Sequence, residues 1–282
     1  MRFNGISYPN KDMRCVMENI QLFVFDIDGT LIEHKTNQIS VSTQEAIHQL
    51  KSMGKEVLIA TGRAFYFIPQ AVKDVVDPDF YACINGQCLL DNQGQFIKRY
   101  DLDKDEVFRL TEWCIENKIA VGLKMADAVE IYYNFDEFIT SYVKGQDYRK
   151  ILRDRTGEDV RMSQEIPMGM FLIGNDGLIL SIKDNYTSLS ITRSYASAFD
   201  VFAKGDGKSR AITQVIEKLN IDWENVMVFG DGENDIDMIQ KAQIGVVMGN
   251  AHVEVQSHGD FVTKSVGEDG IVFALKHFNI IK

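Results

Sequence analysis

One short segment most constrains the fold of this chain: the apolar run Leu22-Phe23-Val24-Phe25 and the sequence Asp26-Ile27-Asp28-Gly29-Thr30 that follows it. Four consecutive apolar residues bounded by a turn signal are typical of a strand buried on both faces. Gly29 permits the backbone to turn directly after that strand. Open α/β sheets bind ligands at the carboxyl ends of their strands. The two carboxylates are therefore candidates for a nucleophile or metal ligand and for a general acid–base, although aspartate is also common in ordinary turns.

Both ends of the chain alternate between strand-like and helix-like patterns. After residue 200 the alternation returns with the apolar stripe of a helix, two buried strands and a closing helix. The elements predicted for the two ends are Leu22–Asp26, Ser42–Met53, Glu56–Ala60, Phe80–Ile84, Lys208–Leu219, Val226–Phe229, Ile244–Met248 and Glu268–Phe278. Such βαβ units predict a Rossmann-like α/β core with a parallel sheet, formed by residues 1–85 and 200–282.

The middle of the chain has a different pattern. Strand-like runs flank Asp91-Asn92-Gln93-Gly94, which predicts a hairpin, and Asp103 with Glu106 has the spacing of a capping box at a helix start. Further short strands are predicted at Ile119–Met125, Val129–Tyr133, Gly169–Ile173 and Leu189–Thr192. This mixture predicts an α+β domain, residues 86–199, inserted into the core. We expect residues 1–16 to be a loosely ordered N-terminal extension.

The composition is typical of a globular enzyme. Of the 282 residues, 45% are hydrophobic, and no apolar run approaches the length of a membrane span. The net charge of −11 argues against binding to nucleic acids or to membrane surfaces. The four cysteines, Cys15, Cys83, Cys88 and Cys114, contain no CxxC pair, which favours reduced thiols in a cytoplasmic protein.

Four predicted core strands end in polar, small or charged residues. These strand ends are Asp26 with Asp28, Thr61-Gly62-Arg63, Asn85-Gly86 and Gly230–Asp235. In a doubly wound sheet they would meet at one crevice. Asp26, Asp231 and Asp235 would repel one another there without a cation, and oxygen ligands without histidine or cysteine favour Mg²⁺ over zinc. A capped loop before a helix would account for one of these aspartates, but not for three on converging strand ends.

This constellation resembles the haloacid dehalogenase superfamily. Asp26-Ile27-Asp28-Gly29-Thr30 resembles the first motif of that superfamily, Thr61 the second, Lys208 the third and Gly230-Asp231-(x)₂-Asn234-Asp235 the fourth. Three further segments are similar to the Cof-type phosphatases within it: Asn85-Gly86, Met248-Gly249-Asn250-Ala251 and Glu268-Asp269-Gly270. The insert matches the α+β cap domain of that subgroup in position and size. The resemblance implies a phosphatase core with a cap that selects the substrate.

The resemblance also implies catalytic and metal-binding roles. Asp26 would attack phosphorus to form an aspartyl-phosphate, and Asp28 would protonate the leaving oxygen and then activate water. Mg²⁺ would be held by Asp26, the backbone carbonyl of Asp28 and Asp231, with Asp235 as a direct or outer ligand.

Phosphate and substrate contacts are implied for the remaining motif residues. Thr61 and Lys208 would bind phosphate oxygens, and Asn234 would hydrogen-bond the phosphate or Lys208. The side of the site that faces the substrate would carry Gly62, Arg63 and Asn85.

We therefore expect a cytoplasmic phosphoric monoester hydrolase that acts on a small phosphorylated metabolite, with sugar phosphates favoured. A phosphomutase is an alternative, because it shares the aspartyl-phosphate step but returns the phosphoryl group to a sugar. A non-catalytic phosphosugar-binding regulator would be expected to have lost Asp26, Asp28, Lys208 or Asp231, and all four are present. In the insert, Tyr132 and Tyr133 are candidates to line a sugar pocket or, as aromatic strand residues more often do, to pack in the core.

Overall fold

The computed structural model describes residues 19–33, 38–143, 150–195, 197–205 and 207–282. The expected N-terminal extension, residues 1–16, lies outside the described residues. The chain forms two compact units, one within residues 19–98 and 207–282 and the other within residues 99–205.

Strands and helices are numbered here along the chain. The strands are β1 (Leu22–Phe25), β2 (Glu56–Ala60), β3 (Phe80–Cys83), β4 (Cys88–Asp91), β5 (Phe96–Arg99), β6 (Ala120–Lys124), β7 (Val129–Tyr133), β8 (Leu152–Asp154), β9 (Gly169–Ile173), β10 (Leu189–Tyr195), β11 (Ala198–Ala203), β12 (Val226–Gly230), β13 (Ile244–Val247) and β14 (Phe261–Val262). The α-helices of four or more residues are α1 (Val41–Ser52), α2 (Gln70–Val76), α3 (Lys104–Glu116), α4 (Asp176–Ser181), α5 (Gly207–Leu219), α6 (Ile236–Lys241), α7 (Val253–Gln256) and α8 (Gly270–His277).

An eight-stranded sheet in the order β14-β13-β12-β1-β2-β3-β4-β5 forms the first unit. The pairs from β14 to β3 are parallel, which confirms the predicted parallel α/β core. Leu22 and Val24 of β1 pack in one core cluster with apolar side chains of α5, while Phe25 stacks on Phe229 of β12 at 5.0 Å between ring centroids. Because β1 lies between β12 and β2, the loops that follow these three strands emerge side by side at one edge of the sheet.

The strands β4 and β5, which the sequence analysis places in the insert, lie in this first sheet. Cys88 of β4 pairs with Cys83 of β3 in an antiparallel register. The chain reverses between them because Ile84, Asn85 and Gly86 all have left-handed backbone angles, with φ of 52°, 51° and 82°. The compact first unit consequently extends to residue 98, beyond the expected boundary at residue 85.

A six-stranded sheet in the order β10-β11-β9-β6-β7-β8 forms the second unit. All its pairs are antiparallel except β7 with β8. Residues 200–203 were predicted to belong to the core. They form part of β11, which instead lies between β10 and β9 in the second sheet. Tyr132 is buried in the core that this sheet forms with α3, and Tyr133 packs against that core. Within the described residues, no helix combines the length and the apolar character that a membrane crossing needs.

Glu106 connects α3 to the loop before β10. Asp103 caps α3, as predicted, by accepting a hydrogen bond from the backbone N–H of Glu106 at 2.9 Å. The carboxylate of Glu106, however, does not return to Asp103, as a capping box would require. It accepts four hydrogen bonds, from the backbone N–H and the hydroxyl groups of Thr187 and Ser188. Burial alone would raise the pKa of Glu106, but these hydrogen bonds outweigh it and lower the pKa to about 2.

Glu106→Gln is expected to lower the free energy of unfolding of the second unit by about 2 kcal/mol at neutral pH, because a charged acceptor of four hydrogen bonds is lost. The folded-state pKa lies below the ordinary value of 4.5, so the stabilisation by Glu106 is present above that value and is lost as the pH falls toward about 2. The measurement is urea unfolding followed by tryptophan fluorescence in a Trp223→Phe background, which leaves Trp113 on α3 as the sole tryptophan.

The matched control is Asp105→Asn, which removes an exposed carboxylate from the same helical turn. It is expected to change the unfolding free energy by less than about 1 kcal/mol. A Glu106→Gln penalty that stayed constant from neutral pH down to the acid range would contradict the assignment of the stabilisation to the ionised carboxylate.

Candidate active site

Lys208 forms the centre of the site in the first unit. Its Nζ donates hydrogen bonds to Asp26 Oδ1 and to Asp235 Oδ1, both at 2.6 Å, and its side chain is completely buried. Asp26 directly follows β1, Asp235 directly precedes α6, and Lys208 lies in the first turn of α5. Burial opposes the charge of Lys208, but the two carboxylates outweigh that effect and raise the pKa of Lys208 above its ordinary value. The side chain is therefore a fixed ammonium group.

Burial also affects the nucleophile candidate. Burial raises the pKa of Asp26 well above its ordinary value, Lys208 lowers it, and the neighbouring carboxylates of Asp235, Asp231 and Asp28 raise it further. An oxygen of Asp26 that is poorly solvated and surrounded by other carboxylates gains much from any additional positive charge.

Asp26, Asp231 and Asp235 form an acidic cluster in which one oxygen of each lies within 4.8 Å of the others. Asp231 accepts hydrogen bonds from Thr30 Oγ1 at 3.1 Å and from Asn250 Nδ2 at 3.2 Å. Burial and the Asp235 carboxylate raise the pKa of Asp231 to about 7, against the lowering effect of the Thr30 hydroxyl. These contacts hold Asp231 in place while leaving it near the other two carboxylates.

The residues of this cluster fit a divalent cation. They offer oxygen atoms only, which suits a hard cation such as Mg²⁺. When all three carboxylates are ionised, the single ammonium group of Lys208 leaves two negative charges, which a divalent cation would neutralise. Asp235 differs from the other two, because its Oδ2 already accepts hydrogen bonds from the backbone N–H groups of Asp231 and Gly232 at 3.0 and 2.9 Å. It is thus suited to fixing the loop after β12 more than to direct coordination.

Gly29 provides the space for this arrangement. Its φ is +89°, and a β-carbon there would lie 2.1 Å from Asp231 Oδ2. The glycine of the first motif is therefore required both by the backbone angle and by the close approach of the Asp231 carboxylate.

Asp28 pairs with Arg63. The guanidinium donates from Nε to Asp28 Oδ2 and from Nη2 to Asp28 Oδ1, both at 2.7 Å. Both side chains are partly exposed. Arg63 is expected from the sequence to face the substrate, and in the structure its guanidinium group contacts both oxygens of the candidate acid–base residue Asp28.

The loops after β2 and β3 are joined to each other. Thr61 is buried; its hydroxyl accepts from the backbone N–H of Arg63 at 3.1 Å, and its carbonyl accepts from the backbone N–H of Asn85 at 3.0 Å. Gly62 is half-buried at the bend between Thr61 and Arg63. Asn234 Nδ2 donates to Asn85 Oδ1 at 2.9 Å, so that the loop after β12 is attached as well. The two asparagines therefore contact each other, where the resemblance implies a contact of Asn234 with phosphate or Lys208.

Two residues support the site without appearing among the sequence-predicted ones. Asp237 Oδ2 accepts the backbone N–H of Ser209 at 2.8 Å and so anchors the start of α5, which carries Lys208. Asn250 Nδ2 also donates to the carbonyl of Gly29 at 2.9 Å, while Asn250 Oδ1 accepts from the backbone N–H of Val266. A signal for Asn250 was available, since it lies in the Met248-Gly249-Asn250-Ala251 segment that supports the resemblance. Asp237 has no comparable signal, because it reads as an ordinary polar residue in the first turn of a helix.

Gly86→Ala tests the contact between the loop after β3 and the start of α5. A β-carbon at Gly86 would lie 2.1 Å from the backbone carbonyl oxygen of Gly207, which cannot rotate away as a side chain could. Gly54→Ala is a matched control, since its φ of +74° is similar and nothing lies within 4 Å of the added carbon. We expect Gly54→Ala to cost about 1–2 kcal/mol of unfolding free energy from backbone strain alone. Gly86→Ala should cost about 1–3 kcal/mol more from the clash.

Urea unfolding followed by Trp223 fluorescence in a Trp113→Phe background reports on the first unit. Equal losses in the two variants would mean that the approach of Gly86 to α5 places no steric demand on the fold.

Comparisons with known proteins agree with this geometry. A family model described as haloacid dehalogenase-like hydrolase matches residues 23–275. A Bacillus subtilis protein named 5-amino-6-(5-phospho-D-ribitylamino)uracil phosphatase is 29% identical over 261 residues, covering 92% of this chain and 96% of that protein. A solved structure described as a HAD subclass IIB sugar phosphatase is 29% identical, with a TM-score of 0.82, and the match covers 93% of this chain and 100% of that chain.

A longer relative is found in Streptococcus pyogenes, where a protein named as a bifunctional phosphatase and peptidyl-prolyl cis-trans isomerase is 28% identical over 277 residues. The match covers 94% of this chain and 55% of that protein, so the chain spans about half its length.

Proposed function

We propose that this chain, which belongs to the haloacid dehalogenase-like hydrolase family, is a phosphatase that acts on a small phosphorylated metabolite through an aspartyl-phosphate intermediate. The observation that carries the proposal is the separation of two neighbouring carboxylates into different environments. Asp26 is buried against Lys208, and Asp28 is partly exposed against Arg63. Two carboxyl groups with different partners can perform different tasks in one reaction.

In the first step an Asp26 oxygen attacks phosphorus. A bond forms between that oxygen and phosphorus while the bond from phosphorus to the leaving oxygen breaks. Asp28, in its protonated form, gives its proton to the leaving oxygen. The fixed ammonium group of Lys208 remains beside Asp26 and stabilises the negative charge that collects around phosphorus.

The second step releases the phosphoryl group. Asp28, now a carboxylate, takes a proton from a water molecule, and the water oxygen attacks phosphorus. The bond between Asp26 and phosphorus breaks, which returns both carboxyl groups to their initial states and yields inorganic phosphate. Thr61, Asn85 and Asn234 provide hydroxyl and amide groups around the same strand ends for the phosphate oxygens.

We assign Mg²⁺ to the acidic cluster, held by Asp26, Asp231 and the backbone carbonyl of Asp28, with Asp235 fixing the loop. When bound, the cation would neutralise the charge between the anionic phosphate and the nucleophile. The support for this assignment is the donor set of oxygen atoms and the two uncompensated negative charges.

The proposed substrates are sugar phosphates. Support comes from the relatives, one named for a sugar phosphatase and one for the phosphatase of a ribityl compound. In this proposal the second unit is the cap that selects the leaving group. The described cysteines, Cys83, Cys88 and Cys114, are all free thiols, which supports the proposed cytoplasmic location.

Phosphate release from a panel of sugar phosphates and from p-nitrophenyl phosphate tests the activity. Asp26→Asn is expected to abolish release, because an amide does not attack phosphorus, whereas Asp28→Asn should reduce the rate on sugar phosphates, whose leaving oxygen needs a proton, by about 10²–10⁴. Near-normal turnover by Asp26→Asn would exclude the covalent mechanism. Transfer of the phosphoryl group to another position of the sugar, without free phosphate, would show a mutase instead.

Removal of the metal is a separate test. Dialysis against EDTA should abolish activity, and Mg²⁺ should restore it. Because a cation that binds only the folded state stabilises it, Mg²⁺ should also raise the Tm of the wild type, by an amount that grows with its concentration. Asp231→Asn should remove most of that rise in Tm, while Asp260→Asn, a control at a partly buried aspartate outside the cluster, should keep it. Full activity after EDTA treatment would refute the metal assignment.

A further inference from the structure

Arg63, which pairs with Asp28, is held in place by several hydrogen bonds. Arg63 is attached at three places: its Nε and Nη2 contact both Asp28 oxygens, its Nη1 donates to the carbonyl of Phe67 at 3.1 Å, and its backbone N–H donates to Thr61 Oγ1. Phe67 is buried, so the carbonyl that receives Nη1 belongs to a fixed part of the chain. The guanidinium group is thus held by the segment after β2 and reaches across to the loop after β1.

We propose that Arg63 is a positioning residue for Asp28, and that it acts on the reaction by aiming the Asp28 carboxyl group rather than by binding the substrate phosphate. This inference rests on the proposed function of Asp28 as the acid and base. It replaces the substrate contact that the sequence alone suggests for Arg63.

The geometry of the pair favours this role. A planar guanidinium that contacts both oxygens of a carboxylate fixes its direction as well as its distance, which a lysine could not do. Asp28 is otherwise partly exposed, and a short side chain at a strand end has several accessible rotamers. Without Arg63 its carboxyl group would point in the required direction for only part of the time.

Proton transfer sets a further condition on this pair. An Asp28 oxygen that carries a proton cannot at the same time accept a hydrogen bond along that direction from the guanidinium. In the first step one Asp28 oxygen must therefore leave Arg63 and face the leaving oxygen, while the other keeps its contact. The proton passes from Asp28 to the leaving oxygen in the first step and from water to Asp28 in the second. Arg63 keeps its own protons throughout.

Asp26 and Asp28 are paired with different cations, Lys208 and Arg63 respectively. Lys208 is completely buried and its ammonium group donates to Asp26 and Asp235, so its charge is already shared by two other carboxylates. Asp28 has a cation of its own in Arg63, which contacts both of its oxygens.

Two small aryl esters distinguish positioning from phosphate binding. Nitrophenolate is a good leaving group and needs little help from a proton, while phenolate is poor and needs it. The experiment measures kcat/KM for p-nitrophenyl phosphate and for phenyl phosphate, together with the Ki of inorganic phosphate, in the wild type and in Arg63→Gln, Arg63→Lys, Asp28→Asn and the Arg63→Gln/Asp28→Asn double variant.

If Arg63 positions Asp28, Arg63→Gln should lose about 10- to 100-fold on phenyl phosphate and less than about 5-fold on p-nitrophenyl phosphate, a weaker form of the pattern in Asp28→Asn. Arg63→Lys should be intermediate, since it retains the charge without the fork. The Ki of phosphate should remain within about 3-fold of the wild type, and the double variant should be no slower than Asp28→Asn, because the two residues act as a unit.

Equal losses on both esters, with a raised Ki of phosphate and multiplicative effects in the double variant, would overturn the proposal and assign Arg63 to phosphate binding. If Arg63→Gln fails to fold, the same comparison is made with Arg63→Lys alone and in combination with Asp28→Asn. A wild-type protein that released phosphate from neither ester nor from any sugar phosphate would instead refute the proposed function.

Discussion

The buried ammonium group of Lys208 is the interaction on which the rest of the site depends. Removing a charge of this size from water costs several kcal/mol, and the cost is offset only when partners are close and well directed. Both partners meet that condition at 2.6 Å, one from the loop after β1 and one from the loop after β12. The position of α5 is in turn fixed by Asp237 at its first turn and by Gly86 against the carbonyl of Gly207. The buried ammonium group thereby requires four segments to be in place: the loops after β1, β3 and β12, and the start of α5.

The parallel sheet explains how the sequence can satisfy that requirement. Strands that are adjacent and parallel deliver their following loops to the same edge, so Asp26, Thr61 and Asp231 converge although 205 positions separate the first from the last. Each loop carries short polar residues, and their hydrogen bonds join the loops to one another: Thr61 with Asn85, Asn85 with Asn234, and Thr30 with Asp231. Because these hydrogen bonds run between different loops, each loop of the site is held by its neighbours.

The features that could be predicted from the sequence depend on residue type and order along the chain. Buried strands are recognisable as apolar runs, and the eight core elements predicted from the sequence fall within two residues of their predicted bounds, whereas α2, α7 and β14 were not predicted. The features that could not be predicted from the sequence depend on contacts between residues far apart in the chain. Glu106 has the spacing of a capping box, but its carboxylate binds the four donors of Thr187 and Ser188 instead of the backbone N–H of Asp103. Asn85-Gly86 is a local turn signal, but the β-branched Ile84 before it, a type that rarely adopts a positive φ, hides the reversal that places β4 in the first sheet.

The placement of Ile84 also has a physical meaning for the site. A left-handed β-branched residue stores strain of about 1–3 kcal/mol, which persists only where the surroundings enforce it. Here the backbone N–H of Ile84 donates to the carbonyl of Arg63, and that of the neighbouring Asn85 donates to the carbonyl of Thr61. The strained turn is thus tied to the same short segment that holds the guanidinium group against Asp28. The backbone N–H of Arg63 donates to Thr61 and its carbonyl accepts from Ile84, so both backbone groups of Arg63 are held. The direction of the Asp28 carboxylate therefore depends on the fold of the loops after β2 and β3.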